Sequence, residues 1–309
     1  MATCSTAQRP STRNCASGIS LVEVLVALVL TVGLMAAGLT ISFSARAALV
    51  TDQHRTAINQ NLRAGMDLLG LDIRQAGERL PSDVSVIEIL DGSGAAPDTL
   101  VLRRNLLSVV LPLCDDISAG TSTDNVVIAD SVAPIPAGCD ALPDANSDGW
   151  PDNMEVWRDY RIENGGQVLA YIYNPASQVG EYFEYDAEDG SGFKLHRNNG
   201  DPWQYDHAVT DQARVYILEQ RTFRLVDGIL QCEIDSEGSA PLSLVDHING
   251  FQLRAFFADG SIQESLGPTD DWTDLDSIEV ALSAESQMKD RTMNRQLTTR
   301  FFPRNILSR

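Results

Sequence analysis

Residues 19–43 form an apolar run broken by one charge, Glu23. About 20 apolar residues suffice to cross a bilayer as a helix, so this stretch is committed to a helix with no polar face to offer water. A carboxylate in the apolar interior of a membrane costs about 2.5–3.5 kcal/mol, so one kept there marks a functional position. The core of a secretory signal is shorter, about 7–15 residues, and ends at a small-residue cut site. A plain membrane anchor leaves Glu23 unexplained.

The junction reads Gly18-Ile-Ser-Leu-Val-Glu23. A glycine followed five residues later by a glutamate at the head of an apolar run resembles the signature of type IV prepilins. Ser17 and Ile19 depart from the usual residues there, whereas the glycine and the glutamate are both present. The resemblance implies cleavage after Gly18 by a prepilin peptidase, with Ile19 as the N-methylated mature terminus. It assigns Glu23 to subunit assembly. It further implies an inner-membrane, single-pass protein with a periplasmic head, later drawn into a pilus or pseudopilus. Its expected partners are other major and minor pilins and an inner-membrane assembly platform. The expected division is a leader over 1–18, a membrane or filament-core helix half over 19–43, an amphipathic half over 44–80 and a head over 81–309.

Val50, His54, Ile58, Leu62, Met66, Leu69 and Ile73 recur every three or four residues, and no proline stands between Ile19 and Pro81. That spacing predicts one continuous helix from about Ile19 to Ala76, with an apolar stripe along its second half and a stop at Gly77. Gly33, Gly38, Gly65 and Gly70 read as soft points. Beyond Ser82 the signals are short and β-like: 84–90, 99–103, 126–129, 156–162, 167–173, 222–226, 229–234, 250–258, 277–283 and 296–302. Glu163-Asn-Gly-Gly166 and Asp227-Gly228 read as hairpin turns. The expected fold is α+β, a long helix carrying a strand-rich head. The stretches 244–254, 272–282 and 301–305 resemble the PilW-like minor pilins and the J-type minor pseudopilins.

The formal charge of −20 argues against nucleic-acid binding, which calls for clustered Lys and Arg. Cys4 and Cys15 precede Gly18; Cys114, Cys139 and Cys232 follow it. Cys114 with Cys139 is the favoured disulfide, because it closes a loop rich in Pro, Gly, Ser and Asp. Spacing alone leaves the connectivity open.

Within an acidic loop over 130–155, Asp144-Ala-Asn-Ser-Asp-Gly-Trp-Pro-Asp-Asn-Met-Glu155 fits the twelve-residue calcium template at every fixed position. Ca²⁺ takes six to eight oxygens. Asp144, Asn146 and Asp148 supply side-chain oxygens, Trp150 a carbonyl, Asp152 a direct or water-mediated contact, and Glu155 two oxygens. Pro151 is unusual in such a loop, and no helix is expected on either side. The competing reading is a solvated acidic turn.

His54, His196, His207 and His247 fall in no catalytic motif. His54, on the helical stripe, reads as a packed side chain. Trp150, Trp157, Trp203 and Trp272 read as core or loop anchors. The expectation is a protein without enzymatic activity: a minor pilin, with a type II secretion pseudopilin or a calcium-dependent adhesive tip subunit as alternatives.

Overall fold

The computed structural model describes residues 20–82, 84–129, 143–189, 193–198, 200–235, 240–268, 270–288 and 291–307. The chain divides after Arg55 into two compact units. The first helix, α1 (Leu21–Gln75), contains that division. In the first unit no large apolar residue from Leu21 to Val50 is buried, and the segment is long and apolar enough to cross a membrane.

Burial of α1 begins at Ile58 and continues through Leu62, Gly65, Met66, Leu69, Gly70 and Ile73. These positions make one face at helical spacing. Val50 and His54, read as stripe members, are instead exposed. The helix stops where Gly77 turns left-handed (φ 76°) and donates its N–H to the Arg103 carbonyl at 2.9 Å.

The head is an α+β assembly of antiparallel sheets. One sheet holds β1 (Ile87–Leu90), β2 (Thr99–Asn105), β9 (Leu218–Val226), β10 (Ile229–Ile234) and β11 (Leu242–Val245), in that order. A second, in the order β13-β12-β14-β15, is built from β12 (Ile248–Phe257), β13 (Ile262–Gln263), β14 (Leu275–Met288) and β15 (Arg291–Phe301). With the buried face of α1 they enclose the larger core, in which Phe223, Phe251 and Trp272 are buried. The third sheet runs β3-β8-β5-β6-β7-β4. Its strands are β3 (Leu111–Pro112), β4 (Asn125–Val127), β5 (Val168–Asn174), β6 (Val179–Asp189), β7 (Lys194–Arg197) and β8 (Arg214–Tyr216). A separate core forms around Trp157, Phe183, Tyr185 and Trp203.

One expectation is met in detail. Asp227 and Gly228 both have positive φ (50° and 78°), as a two-residue hairpin requires, and Val226 pairs with Ile229 across them. The glycines of α1's second half have a packing role instead of a bending one. A Cβ on Gly70 would lie 2.3 Å from Phe301 Cε1, so the ring occupies the space the missing side chain leaves. The end of α1 is also fixed by polar contacts. Asp72 pairs with Arg221 at 2.9 Å, Arg221 with Glu219 at 3.1 Å, and Arg104 with both Glu219 and Gln75.

Residues 156–162 are a correction. They belong to helix α2 (Asp152–Glu163), not to a strand. The β-branched and aromatic content of Val156-Trp-Arg-Asp-Tyr suggests a strand, but Met154 and Trp157 recur at i, i+3 and are the residues α2 buries. Asp152 and Glu155 in the first turn favour the positive helix end. Asn164, Gly165 and Gly166 accordingly end a helix. The N–H of Asn164 returns to the Tyr160 carbonyl at 3.1 Å, and both glycines have positive φ.

Candidate functional site

Glu23 lies in the first turn of α1, where its backbone N–H donates to the Ser20 carbonyl at 3.0 Å. Its carboxylate is exposed among exposed apolar neighbours, with Leu21 78% and Leu25 55% accessible. An acid there is favoured by the helix dipole, but the dipole does not account for a charge in so apolar a surface. Gly18 and Ile19 lie outside the described residues.

The acidic loop is ordered around its own carboxylates from Asp144 onward. Asp144 accepts the N–H of Asp148 at 3.2 Å and of Gly149 at 3.0 Å, and Asp148 accepts that of Trp150 at 2.8 Å. Ser147 and Gly149, with φ of 59° and 92°, supply the left-handed steps that let the chain turn inside this ring. The Asn146 amide nitrogen donates to Asp148 Oδ2 at 3.2 Å and to Glu155 Oε2 at 3.1 Å, so the third, fifth and twelfth positions are already linked. Asp152 receives the Ala145 N–H on both oxygens, at 3.2 and 3.3 Å.

The expectation of no flanking helix is overturned. Asp152 opens α2 and Glu155 stands in its first turn. The loop therefore ends at Pro151, not at residue 155, and a rigid element carries its ninth and twelfth positions. Glu155 is also engaged by Arg158 at 3.0 Å, and the Arg158 guanidinium lies 4.8 Å from the Trp150 ring. Among the described residues no group of three or more His, Cys, Asp and Glu side chains is gathered closely enough to hold a metal ion. The oxygens of Asp144, Asn146, Asp148 and Glu155 match what a hard cation takes. The Asn146 amide would have to turn its oxygen inward, and Glu155 would have to leave Arg158.

Cys114 is disulfide-bonded, and Cys232 is a buried cysteine outside any disulfide. Cys139 lies outside the described residues. Trp157, Trp203 and Trp272 are buried in the two cores, and Trp150 is half-buried beside the loop.

One polar centre has no signal in the sequence. His207 is fully buried, with Nε2 3.1 Å from Glu181 Oε1, and Glu181 also accepts the N–H groups of Gln204 and Tyr205. Burial raises the Glu181 carboxyl, but the hydrogen bonds from His207, Gln204 and Tyr205 outweigh it and hold the group below its ordinary value. His207 Nδ1 has no hydrogen-bond partner among the described residues. The two residues are far apart in sequence and only the fold joins them, so no local pattern announces the pair.

No protein-family model, curated protein or solved structure matches this chain.

Proposed function

We propose that the chain is a minor subunit of a type IV pilin-like filament, anchored by its apolar helix and assembled through it. What carries this reading is one observation. An apolar helical segment, unburied throughout, bears Glu23 as its lone acid, five residues after Gly18. A carboxylate in that setting needs a cation within reach, and the positive mature terminus of a neighbouring subunit, Ile19, provides one once Gly18 is cut. The pairing would fix axial register while relieving the cost of the buried charge. The strand-rich head on the second half of the helix suits a filament subunit, and the PilW-like and J-type resemblance assigns it a minor role.

In the same proposal Asp144, Asn146, Asp148, Trp150, Asp152 and Glu155 hold Ca²⁺. Bound there, the cation would neutralise the converging carboxylates and fix the loop to the start of α2. The head carries out no reaction; it docks and assembles.

Mass spectrometry of the membrane-extracted protein tests the central claim. The expected N-terminal fragment begins at Ile19 and carries one added methyl group. A chain that still begins at Met1, or that begins beyond Phe43, would refute it. Glu23→Ala should be processed normally and fail to enter filaments. Wild-type incorporation of the alanine variant removes the role given to that carboxylate, and co-purified partners then assign the filament to a pilus or a secretion system.

A further inference from the structure

A cavity of about 330 Å³ opens between the segment that follows α1 and the strands β5 and β8. Tyr173 and Tyr216, in β5 and β8, are buried there at 3% and 2% exposure, and Pro81, Val110 and Pro175 add apolar wall. The polar lining is Arg79, Gln212 and Arg214, with no carboxylate among the lining residues. That composition runs against the chain as a whole, which has 43 acidic and 23 basic residues.

Arg79 and Gln212 are fixed by their local backbone, and Arg79 also by a hydrogen bond. Arg79 and Gln212 both adopt left-handed backbone, with φ of 58° and 59°. Non-glycine residues in that region carry strain, which recurs at ligand-binding positions. Arg79 Nη1 donates to the Leu106 carbonyl at 2.9 Å, and its Nη2 lies 3.6 Å from Glu78 in an exposed pair. Gln212 follows a 3-10 turn, and its N–H returns to the Val209 carbonyl. The nearby carboxylate of Asp211 is occupied by the Asn174 amide at 3.0 Å. Arg214, exposed at the start of β8, stands beside Tyr173 as its cross-strand partner and takes part in no ion pair among the described residues. One guanidinium is therefore positioned, and a second is available to a ligand.

We infer that this cavity is a binding site for a carboxylate borne on an apolar, preferably aromatic, body. Arg214 would take the carboxylate through its planar fork, which matches two oxygens at once. Arg79 and Gln212 would add donors at the rim, and the buried tyrosine rings and proline walls would receive the apolar part. The volume lies at the lower end of the range for small-ligand sites, about 300–1,000 Å³. Either a free aromatic acid or a chain end with a terminal carboxylate presents this chemistry. Nothing in the inference depends on the filament reading.

Calorimetric titration of the full chain in detergent micelles tests it, with hippurate, its uncharged amide and inorganic phosphate as probes. Hippurate should bind, the amide and phosphate at least tenfold more weakly, and Arg214→Gln should weaken hippurate at least tenfold. Arg214→Lys, which keeps the charge and loses the fork, should fall between. Gly-Gly-Phe with a free or an amidated C-terminus distinguishes the sources: tighter binding of the free peptide than of hippurate identifies a chain end, and the reverse a small molecule. Equal binding of hippurate and its amide, no heat from hippurate or the free peptide at millimolar concentration, or unchanged affinity in a folded Arg214→Gln protein would each overturn the assignment.

Discussion

Replacing Gly70 by alanine separates packing from propensity, because the two act in opposite directions. Alanine in a helix interior is favoured over glycine by about 1 kcal/mol. Against this, the new Cβ would stand 2.3 Å from Phe301 Cε1, 2.8 Å from Cδ1 and 2.9 Å from Cζ. Carbon atoms in ordinary contact keep about 3.5–4.0 Å, so the ring must retreat by more than 1 Å. Phe301 cannot do so freely. It is 5% exposed at the end of β15, pairs with Ile278, and lies beneath the Arg74 guanidinium at 5.5 Å. Because the ring is so close and so confined, the overpacking cost falls in the upper part of the usual range, about 2–3 kcal/mol, which leaves a net loss of about 1–2 kcal/mol after the propensity gain. With a urea slope of ~3 kcal/mol/M the midpoint should fall by about 0.3–0.7 M, read from the fluorescence of Trp272 and the other buried tryptophans. Gly65→Ala provides the contrast. Its Cβ meets only Leu282 Cδ1 closely, at 2.9 Å, the far end of a flexible side chain, so stability should hold or rise slightly. Phe301→Leu should relieve the Gly70→Ala strain, giving a coupling of at least about 0.5 kcal/mol in a double-mutant cycle. An unchanged or raised midpoint in Gly70→Ala would show that helix and β15 are not closely packed there.

Trp157→Ala should destabilise the smaller core by about 3–5 kcal/mol, since the ring is fully buried and its Nε1 bonds the Val109 carbonyl at 3.1 Å; a loss below about 1 kcal/mol in chemical denaturation would contradict that burial. Calcium should raise the melting temperature of the wild-type chain and leave Asp148→Ala unaffected, while Arg158→Ala, which frees Glu155, should bind calcium more tightly. Calorimetry showing no heat with the wild type would remove the metal site. Acid should destabilise the head through Glu181 and Glu219. Burial raises both carboxyls, but the hydrogen bonds and neighbouring positive charges together carry them below the ordinary 4.5, from His207, Gln204 and Tyr205 in one case and from Arg104 and Arg221 in the other. Their stabilisation is complete above pH 4.5 and drains away as pH falls through the lowered folded values. Asp72, raised by burial, works in the opposite direction. Glu219→Gln should flatten the acid limb of a melting-temperature profile, and an unaltered limb would dismiss the Glu219 contribution.

The parts of the fold legible in the sequence are those set by local periodicity. The apolar run, the stripe from Ile58 to Ile73, the left-handed stop at Gly77 and the Asp227-Gly228 turn each require only neighbours within a few residues. Residues 156–162 fail for a definite reason. β-branched and aromatic residues serve equally in a buried strand or on one buried helix face, and only the recurrence of Met154 and Trp157 decides between them. His54 fails differently, because periodicity identifies a face without saying where along α1 the head begins to cover it. Strands such as β6, with its alternating acids, gain their burial only from β5 and β7, which pair with it.

The same distinction governs the sites. The calcium template is local, so its six positions are readable from Asp144 to Glu155, yet its most consequential feature is absent from the template. The loop feeds directly into a helix that Trp157 anchors in the smaller core, so the ninth and twelfth positions, Asp152 and Glu155, stand only about 7.5 and 3 Å along α2 from a packed anchor, at about 1.5 Å per residue. A flexible acidic turn would lose ordering entropy on taking up a cation, and a loop clamped at one end by buried tryptophan loses less. If that coupling holds, removing the Trp157 ring should weaken calcium binding although no ligand has changed, whereas a binding constant equal to wild type in folded Trp157→Phe protein is the result expected when an aromatic ring still fills the space. Unaltered calcium affinity in Trp157→Ala under conditions where the rest of the head remains folded would show that the loop organises itself without the core.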